Sequence, residues 1–139
     1  MNSYLTIVLL FCLQFPLFGQ DCSRYSEEEL HNTVEKIRSG GFEFINYLVI
    51  KPSDSVEKNH IAVFSKRTTY RFEVINFSKQ VFEITLLAND SIIKKWKVGD
   101  KVKNEPMEFT SEKTGIYNIR LIHSQTGCVF TGVGFKRQR

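Results

Sequence analysis

The sequence predicts a mainly β protein, an antiparallel β-sandwich of about eight strands with one N-terminal α-helix packed on it. Two observations predict this class. From residue 42 onward, short stretches rich in β-branched and aromatic residues recur at intervals of roughly 8–12 residues between turn signals. One well-marked helix precedes them, and strands without intervening helices favour a sandwich or barrel over alternating strands and helices.

A capping box marks the start of the helix, which we predict at residues 27–38. The Ser26 hydroxyl can accept a hydrogen bond from the Glu29 amide, and the Glu29 side chain can reach back to the Ser26 amide. Gly40 and Gly41 end the helix. Its apolar stripe consists of Leu30, Val34 and Ile37. The strand that follows is apolar on both faces, so we expect the helix to cover one of them.

The remaining strands follow in sequence, separated by polar turn residues. Asn89 and Asp90 tolerate positive φ and predict a tight hairpin turn. We predict strands at residues 42–50, 60–64, 68–76, 81–88, 91–98, 107–110, 115–123 and 127–135.

Residues 1–20 form an apolar leader that contains no Asp, Glu, Lys or Arg. Its apolar run, Leu5 to Leu13, is shorter than the roughly 20 residues that a membrane span needs. The small residue Gly19 near its end is typical of a secretory cleavage site. We predict a signal peptide at 1–20 and a single extracytoplasmic domain at 21–139, periplasmic or secreted, without a membrane span. An uncleaved N-terminal anchor is the alternative.

The predicted mature domain keeps two cysteines, Cys22 and Cys128. An oxidising compartment permits a disulfide between them. Such a bond would close nearly the whole domain into one loop, a chain-entropy benefit of roughly 4–5 kcal/mol. The alternative is two separate thiols, with Cys128 as a small buried core residue. The sequence leaves both open, because it does not place the two Cα atoms near each other.

The C-terminal half carries a recognisable order of motifs. They are Tyr70–Val74, Val81–Leu86 with its turn, Thr114–Ile119 and Gly127–Phe130. This order resembles small jelly-roll sandwiches of the bacterial pre-peptidase C-terminal type, and short exported Bacteroidota proteins that end in a similar Gly-Cys strand. The resemblance implies a jelly-roll-like fold and carries no catalytic residues over, since such domains are not known to be catalytic.

No catalytic or metal-binding constellation stands out. Cys128 is the only plausible nucleophile in the sheet, and a buried cysteine in apolar surroundings is inert. The histidines lack the close spacing typical of metal ligands, and each candidate calcium ligand stands alone. These residues are His31, His60, His123, Asp54, Asp90 and Asp100. We therefore predict that the protein is not an enzyme and has no cofactor.

The one conspicuous charge cluster is Lys94-Lys95-Trp96-Lys97. As a ligand surface it would suit phosphate or acidic polysaccharide, with Trp96 stacking on a sugar or base. As an edge strand its lysines would discourage aggregation, and Trp96 would point into the core. We favour the second interpretation and predict a buried Trp96 beside exposed Lys95 and Lys97. We expect Lys136–Arg139 to be a solvated tail.

These patterns favour a non-catalytic exported binding or accessory module, with a glycan or an envelope protein as partner. The net charge of +4 is mild and does not indicate nucleic acid. One alternative is a structural or inhibitory subunit that docks a protein partner in the cell envelope. A second is a small hydrolase or metal-dependent enzyme whose site is assembled from residues distant in sequence.

Overall fold

The computed structural model describes residues 22, 27–51, 54–76, 81–99, 106–123 and 128–139. Within them helix α1 spans Glu27–Ser39, and eight strands follow. These are β1 (Glu43–Ile50), β2 (Glu57–Phe64), β3 (Thr68–Asn76), β4 (Phe82–Ala88), β5 (Ser91–Val98), β6 (Met107–Ser111), β7 (Gly115–His123) and β8 (Val129–Arg137). The predicted class, mainly β with one N-terminal helix, is confirmed. The predicted leader at 1–20 and the capping residue Ser26 lie outside the described residues.

The described strands form two four-stranded sheets that are antiparallel throughout. Sheet A has the order β1-β8-β3-β6, and sheet B has the order β2-β7-β4-β5. The first strand pairs with the last, the second with the seventh, the third with the sixth and the fourth with the fifth. This nested pairing is one long hairpin folded over on itself, the arrangement of a jelly roll. The predicted antiparallel sandwich is confirmed.

The two ends of the sandwich differ in the length of their connections. Residues 65–67, 89–90 and 112–114 join strands at one end, and residues 51–56, 77–81, 99–106 and 124–128 join them at the other. The predicted Asn89–Asp90 turn is confirmed, with φ angles of 49° and 61°. Both residues tolerate this left-handed region, which a two-residue hairpin requires.

Strand boundaries differ from the prediction by more than one residue in two strands, β2 and β8. β2 begins at Glu57 rather than His60, because Glu57 and Asn59 pair with β7 while their polar side chains face solvent. β8 continues to Arg137, where it pairs with Thr68 of β3. The expectation of a solvated tail is therefore wrong for the backbone of Lys136 and Arg137, which belongs to β8. Backbone pairing holds these residues although their side chains are exposed.

The main core lies between the two sheets. Its large, fully buried side chains include Ile50, Phe72, Ile84, Leu86 and Leu121. They come from both sheets, at alternate positions of their strands, as expected for facing layers of a sandwich.

Stacked aromatic rings fill the core near the short connections. The Phe64 ring centroid lies 3.8 Å from that of Tyr70 and 4.9 Å from that of Tyr117. Both tyrosine hydroxyls are satisfied: Tyr70 accepts from the Ser65 amide at 2.8 Å, and Tyr117 shares a 2.9 Å hydrogen bond with Ser111. Burying these rings therefore leaves neither hydroxyl without a partner.

Helix α1 packs on the outer face of sheet A, over β1, β8 and β3. Ile37 is fully buried against β8, where a Cβ added at Gly134 would collide with the Ile37 side chain. Glycine at this position lets the helix approach the strand closely. In the predicted stripe Ile37 is buried, but Leu30 and Val34 are only half-buried. Thr33 is buried instead, because its methyl group lies over Gly132 one turn before Ile37.

A glycine motif ends the helix. Gly41 has a φ of 81°, its amide donates to the Arg38 carbonyl, and the Phe42 amide donates to the Ile37 carbonyl. These two hydrogen bonds and the left-handed glycine are a Schellman motif. The motif turns the chain into β1 and places Phe42 beside the last turn of the helix.

A disulfide joins Cys22 to Cys128, with Cα atoms 5.7 Å apart. Of the two alternatives that the sequence left open, the bonded pair is confirmed. Both cysteines are buried in a second apolar cluster between α1 and sheet A, whose described members also include Phe130, Leu30, Tyr47, Val49 and Ile75. The Tyr47 hydroxyl donates to the Leu30 carbonyl at 2.6 Å, and burial raises the Tyr47 pKa. Tyr47 therefore stays a donor that ties the helix to β1.

Candidate functional site

The basic segment Lys94–Lys97 lies on β5, at one edge of sheet B. The Trp96 ring is half-buried against the main core, with its centroid 5.5 Å from that of Phe72. Lys95 and Lys97 point to the opposite face, and Lys94 is exposed beside Leu86. Strand alternation thus separates Trp96 from its neighbouring lysines, so these residues do not form one basic platform around the indole.

Ion pairing partly neutralises this strand. Lys95 Nζ lies 3.2 Å from Glu83 Oε1 on the neighbouring strand β4. Burial disfavours the ionised Glu83 carboxylate, but the Thr85 and Lys95 hydrogen bonds and the charges of Lys95 and Lys97 outweigh it and lower the Glu83 pKa. The side chain of Glu83 therefore stays charged and bound to its own sheet.

A different basic site appears at the end of α1, on the outer side of sheet A. It is an open cavity of about 750 Å³, which we call the cationic cleft. Its described lining residues are Gly40, Phe42, Thr69, Arg71, Glu108, Lys136, Arg137, Gln138 and Arg139. They come from the end of the helix, β3, β6 and the C-terminal residues. A hydrogen bond from the Gln138 amide to the Arg67 carbonyl, at 2.9 Å, positions the last of these segments.

Arg71 and Phe42 form the base of the cationic cleft. The guanidinium carbon of Arg71 lies 5.4 Å from the Phe42 ring centroid, and Lys136 Nζ lies 5.8 Å from it. Both distances are within the range of cation–π attraction. Arg71 Nε also lies 3.1 Å from a carboxylate oxygen of Glu73 and 3.7 Å from one of Glu108. These ion pairs hold the guanidinium beside the two carboxylates.

Positive charge is concentrated in the cationic cleft. Its described lining contains four cationic side chains and one carboxylate, a net charge of +3 that the Glu73 carboxylate beside Arg71 reduces to +2, whereas the whole chain carries +4. A neighbouring cavity of about 440 Å³ shares Arg71 and adds Lys36 and Glu73. Clustered charge of one sign in a concave surface raises the local concentration of oppositely charged ligands.

Only part of this site had a signal in the sequence. Lys136, Arg137 and Arg139 form a recognisable cluster of cations in the sequence. Arg71 is distant from them in sequence and belongs to a strand with an ordinary alternating pattern. Only the register of β3 against β8, which pairs Thr69 with Lys136, brings them together.

The described histidines and cysteines do not gather into a metal-binding group. Among the described residues no three His, Cys, Asp or Glu side chains lie close enough to hold a metal ion. Burial, and then the charge of Lys58, lower the His60 pKa against the opposing effect of Asp54. His123 Nε2 hydrogen-bonds the Ser55 carbonyl at 2.8 Å. Cys128 is held in the disulfide and offers no thiol.

The outer face of sheet B is the second candidate surface. We call it the open face, meaning the outward-pointing side chains of β2, β7, β4 and β5. No described helix covers it, and three of its β-branched residues are extensively exposed: Ile61 by 79%, Val63 by 67% and Ile116 by 69%. Clustered exposed apolar side chains are typical of interaction surfaces.

Comparison of this chain with protein-family models, with curated proteins and with solved structures finds no match. Among the described residues no helix is long and apolar enough to cross a membrane.

Proposed function

We propose that this protein is a non-catalytic exported binding module and that its cationic cleft binds an acidic glycan. The observation that carries the proposal is the concentration of charge. The described lining of one open cavity carries a net charge of +3, in a chain whose total is +4. A ligand with repeated negative charges would gain most from this arrangement, because several cations can be engaged together.

The chemistry of the side chains favours carboxylate or sulfate groups. Arg137 and Arg139 each present a planar guanidinium whose fork of donors matches these oxyanions bidentately. Arg71 is already oriented by Glu73 and Glu108, so it loses little further freedom on binding. The cleft is open rather than enclosed, which suits a stretch of polymer better than a small ion.

Export is part of the proposal. It is supported by the composition of residues 1–20 and by the Cys22–Cys128 disulfide, since structural disulfides persist mainly in oxidising compartments. The resemblance to pre-peptidase C-terminal sandwiches stays a prediction, with which the jelly-roll strand order agrees. A hydrolase or metal-dependent enzyme also stays an alternative, to which the geometry described above adds no support.

The test compares two variants that lose the same charge. Lys136→Gln/Arg137→Gln/Arg139→Gln removes three cations from the cleft. Lys51→Gln/Lys66→Gln/Lys113→Gln removes three exposed lysines elsewhere. Binding of the wild type and both variants is measured by calorimetry with polygalacturonate, which carries carboxylates, with heparin, which carries sulfates, and with neutral dextran.

We expect the cleft variant to lose about tenfold in affinity for an acidic polymer, equivalent to ~1.4 kcal/mol, and the control to lose no more than about twofold. The polymer that binds more tightly distinguishes carboxylate from sulfate recognition. Equal losses in both variants would mean that binding follows net charge alone and would refute the proposal. So would the absence of binding to either acidic polymer, or equal binding of dextran.

A second candidate function is that of a structural subunit that docks proteins in the cell envelope. The open face of sheet B favours it, because exposed apolar residues on a paired strand surface indicate a protein contact.

A further inference from the structure

The register of sheet B arranges the open face in rows that run across its four strands. One row contains Glu57, Ile122, Glu83 and Lys97, and the next contains Asn59, Arg120, Thr85 and Lys95. A third contains Ile61, Asn118, Leu87 and Ile92, and beyond it Val63 lies opposite Ile116. Along the strands, the face therefore changes from a charged half, formed by the first two rows, to an apolar half, formed by the third row and the Val63–Ile116 pair.

The charged half also differs from one edge to the other. β2, at one edge, carries the carboxylate of Glu57, and β5, at the other, carries the ammonium groups of Lys95 and Lys97. Between them Arg120 Nε lies 3.3 Å from Glu57 Oε1, and Lys95 pairs with Glu83. Most charges are thus paired within the face, and among its described cations only Lys97, at the β5 edge, has no ion pair.

We infer that the open face binds the same face of a second copy of this chain, around a two-fold axis parallel to the strands. Such an axis between β7 and β4 keeps every row in place but exchanges β2 with β5. It brings Glu57 of each copy opposite Lys97 of the other. It also brings Ile61 of each copy opposite Ile92 of the other, so apolar side chains meet in the third row, while Ile116 lies opposite the β4–β5 turn. In a two-fold interface of this kind, each residue contact is formed twice.

The other in-plane axis does not give this match. A two-fold axis across the strands would reverse the order of the rows and place the apolar half of one copy over the charged half of the other. Glu57 would then lie opposite Val63 and Lys95 opposite Ile92. Both charges would lose water against apolar side chains, which is costly without compensating hydrogen bonds. The charge pattern therefore selects the axis parallel to the strands.

The dimensions suit a modest interface. Strands lie about 4.8 Å apart and rise about 3.3 Å per residue, so the open face measures roughly 19 Å by 26 Å. Two sheet faces pack about 10 Å apart with strand directions within about 30°. Specific interfaces usually bury about 800 Å² on each partner, so this one lies at the small end and should form a concentration-dependent dimer.

The inference is independent of the cationic cleft, which lies on the opposite side of the sandwich. In the dimer both clefts would remain accessible and point away from each other. Two linked sites engage a repeating polymer more tightly than either site alone.

Sedimentation equilibrium of the purified protein tests the interface. We expect the wild type to dimerise, and Ile61→Ser/Ile92→Ser to shift it towards monomer by at least about tenfold in Kd, since every contact occurs twice. The matched control is Ile45→Ser, which changes an exposed isoleucine of β1 in sheet A and should leave Kd unchanged.

Charge reversal tests the axis itself. Glu57→Lys and Lys97→Glu should each weaken the dimer by about tenfold, because each converts two attractive contacts into repulsive ones. The double variant should restore Kd to within about threefold of wild type. A wild type that stays monomeric at high concentration would overturn the inference. A dimer that Ile45→Ser dissociates equally, or a double variant that shows no recovery, would do the same.

Discussion

The two outer faces of the sandwich are built from similar strands but have opposite environments. On sheet A, helix α1 covers β1, β8 and β3, and Ile37 is 0% exposed. On sheet B, Ile61 is 79% exposed. Covering a fully exposed isoleucine is worth roughly 1.5–3 kcal/mol. The cover on sheet A is possible because β8 carries glycine under the helix, whereas the outward positions of the paired sheet B strands carry larger side chains.

The comparison teaches that the apolar pattern of a strand does not reveal what covers it. A helix packs closely on a sheet when the helix has an apolar stripe and the strand beneath it carries small residues, as α1 and β8 do. No described helix covers sheet B, and its outward positions carry larger side chains. Its exposed apolar residues therefore remain available for another protein surface. Both faces can then be probed with the same substitutions.

The largest effect is expected where Ile37 meets sheet A. Ile37→Thr should lower the free energy of unfolding by about 2–4 kcal/mol, because it removes buried carbon atoms and places a hydroxyl in an apolar site. Ile61→Thr, the same substitution on the open face, should change it by less than about 0.5 kcal/mol. Urea unfolding at low protein concentration measures both while the protein is monomeric. Equal effects would mean that the helix is a loose appendage.

An intermediate effect is expected beneath the helix. Gly134→Ala adds a methyl group that collides with Ile37 and should cost about 1–3 kcal/mol through overpacking. Gly115→Ala is the control, because an added Cβ there would meet no described atom within 4 Å. Thermal unfolding of both variants compares them. A Gly134→Ala protein as stable as Gly115→Ala would show that the helix can move away from β8 without loss.

The smallest effect on stability is expected in the connection between β1 of sheet A and β2 of sheet B. Asp54 accepts hydrogen bonds from Lys58 Nζ at 2.8 Å and from the Lys51 amide at 2.7 Å. Burial alone would raise the Asp54 pKa, but these hydrogen bonds and the lysine charges outweigh it and lower the pKa. Asp54→Asn should therefore cost less than about 1 kcal/mol near neutral pH.

The pH dependence of this difference has a defined sign. A carboxyl group whose folded pKa lies below its unfolded value stabilises the fold above the unfolded pKa. The stability difference between wild type and Asp54→Asn should stay constant above the usual aspartate pKa of 3.8 and shrink as the pH falls through the lower folded value. Urea unfolding at several pH values measures it. A difference that grows on acidification would contradict the assigned contacts.

Sequence signals were sufficient where the interaction is local. The end of α1 follows from Gly40-Gly41, and the β4–β5 turn follows from Asn89-Asp90, because the backbone conformation depends on the residues at the turn itself. The direction of Trp96 also followed from strand alternation. The disulfide remained open, since pairing Cys22 with Cys128 depends on the whole fold.

Sequence signals were insufficient where segments that are distant in the sequence meet in the fold. The cationic cleft requires the register of β3 against β8, which brings both Arg71 and Lys136 to the Phe42 ring. The alternation of inward and outward side chains along a strand does not depend on which strand lies beside it, so it does not reveal the neighbouring strand. The sequence predicted the C-terminal cations as a solvated tail because their pairing partner lies more than sixty residues earlier.

By itself the sequence determined the mainly β class, the position of the helix and the alternation of its strands, because each depends on contacts between near neighbours. Only the tertiary structure decided that the helix covers sheet A and leaves sheet B bare. That choice depends on which strand lies beneath the helix, and Gly132 and Gly134 of β8 give the close approach that the branched residues on the outer face of sheet B do not. The tertiary structure also decided where positive charge is concentrated, because strand pairing brings together side chains that are distant in the sequence.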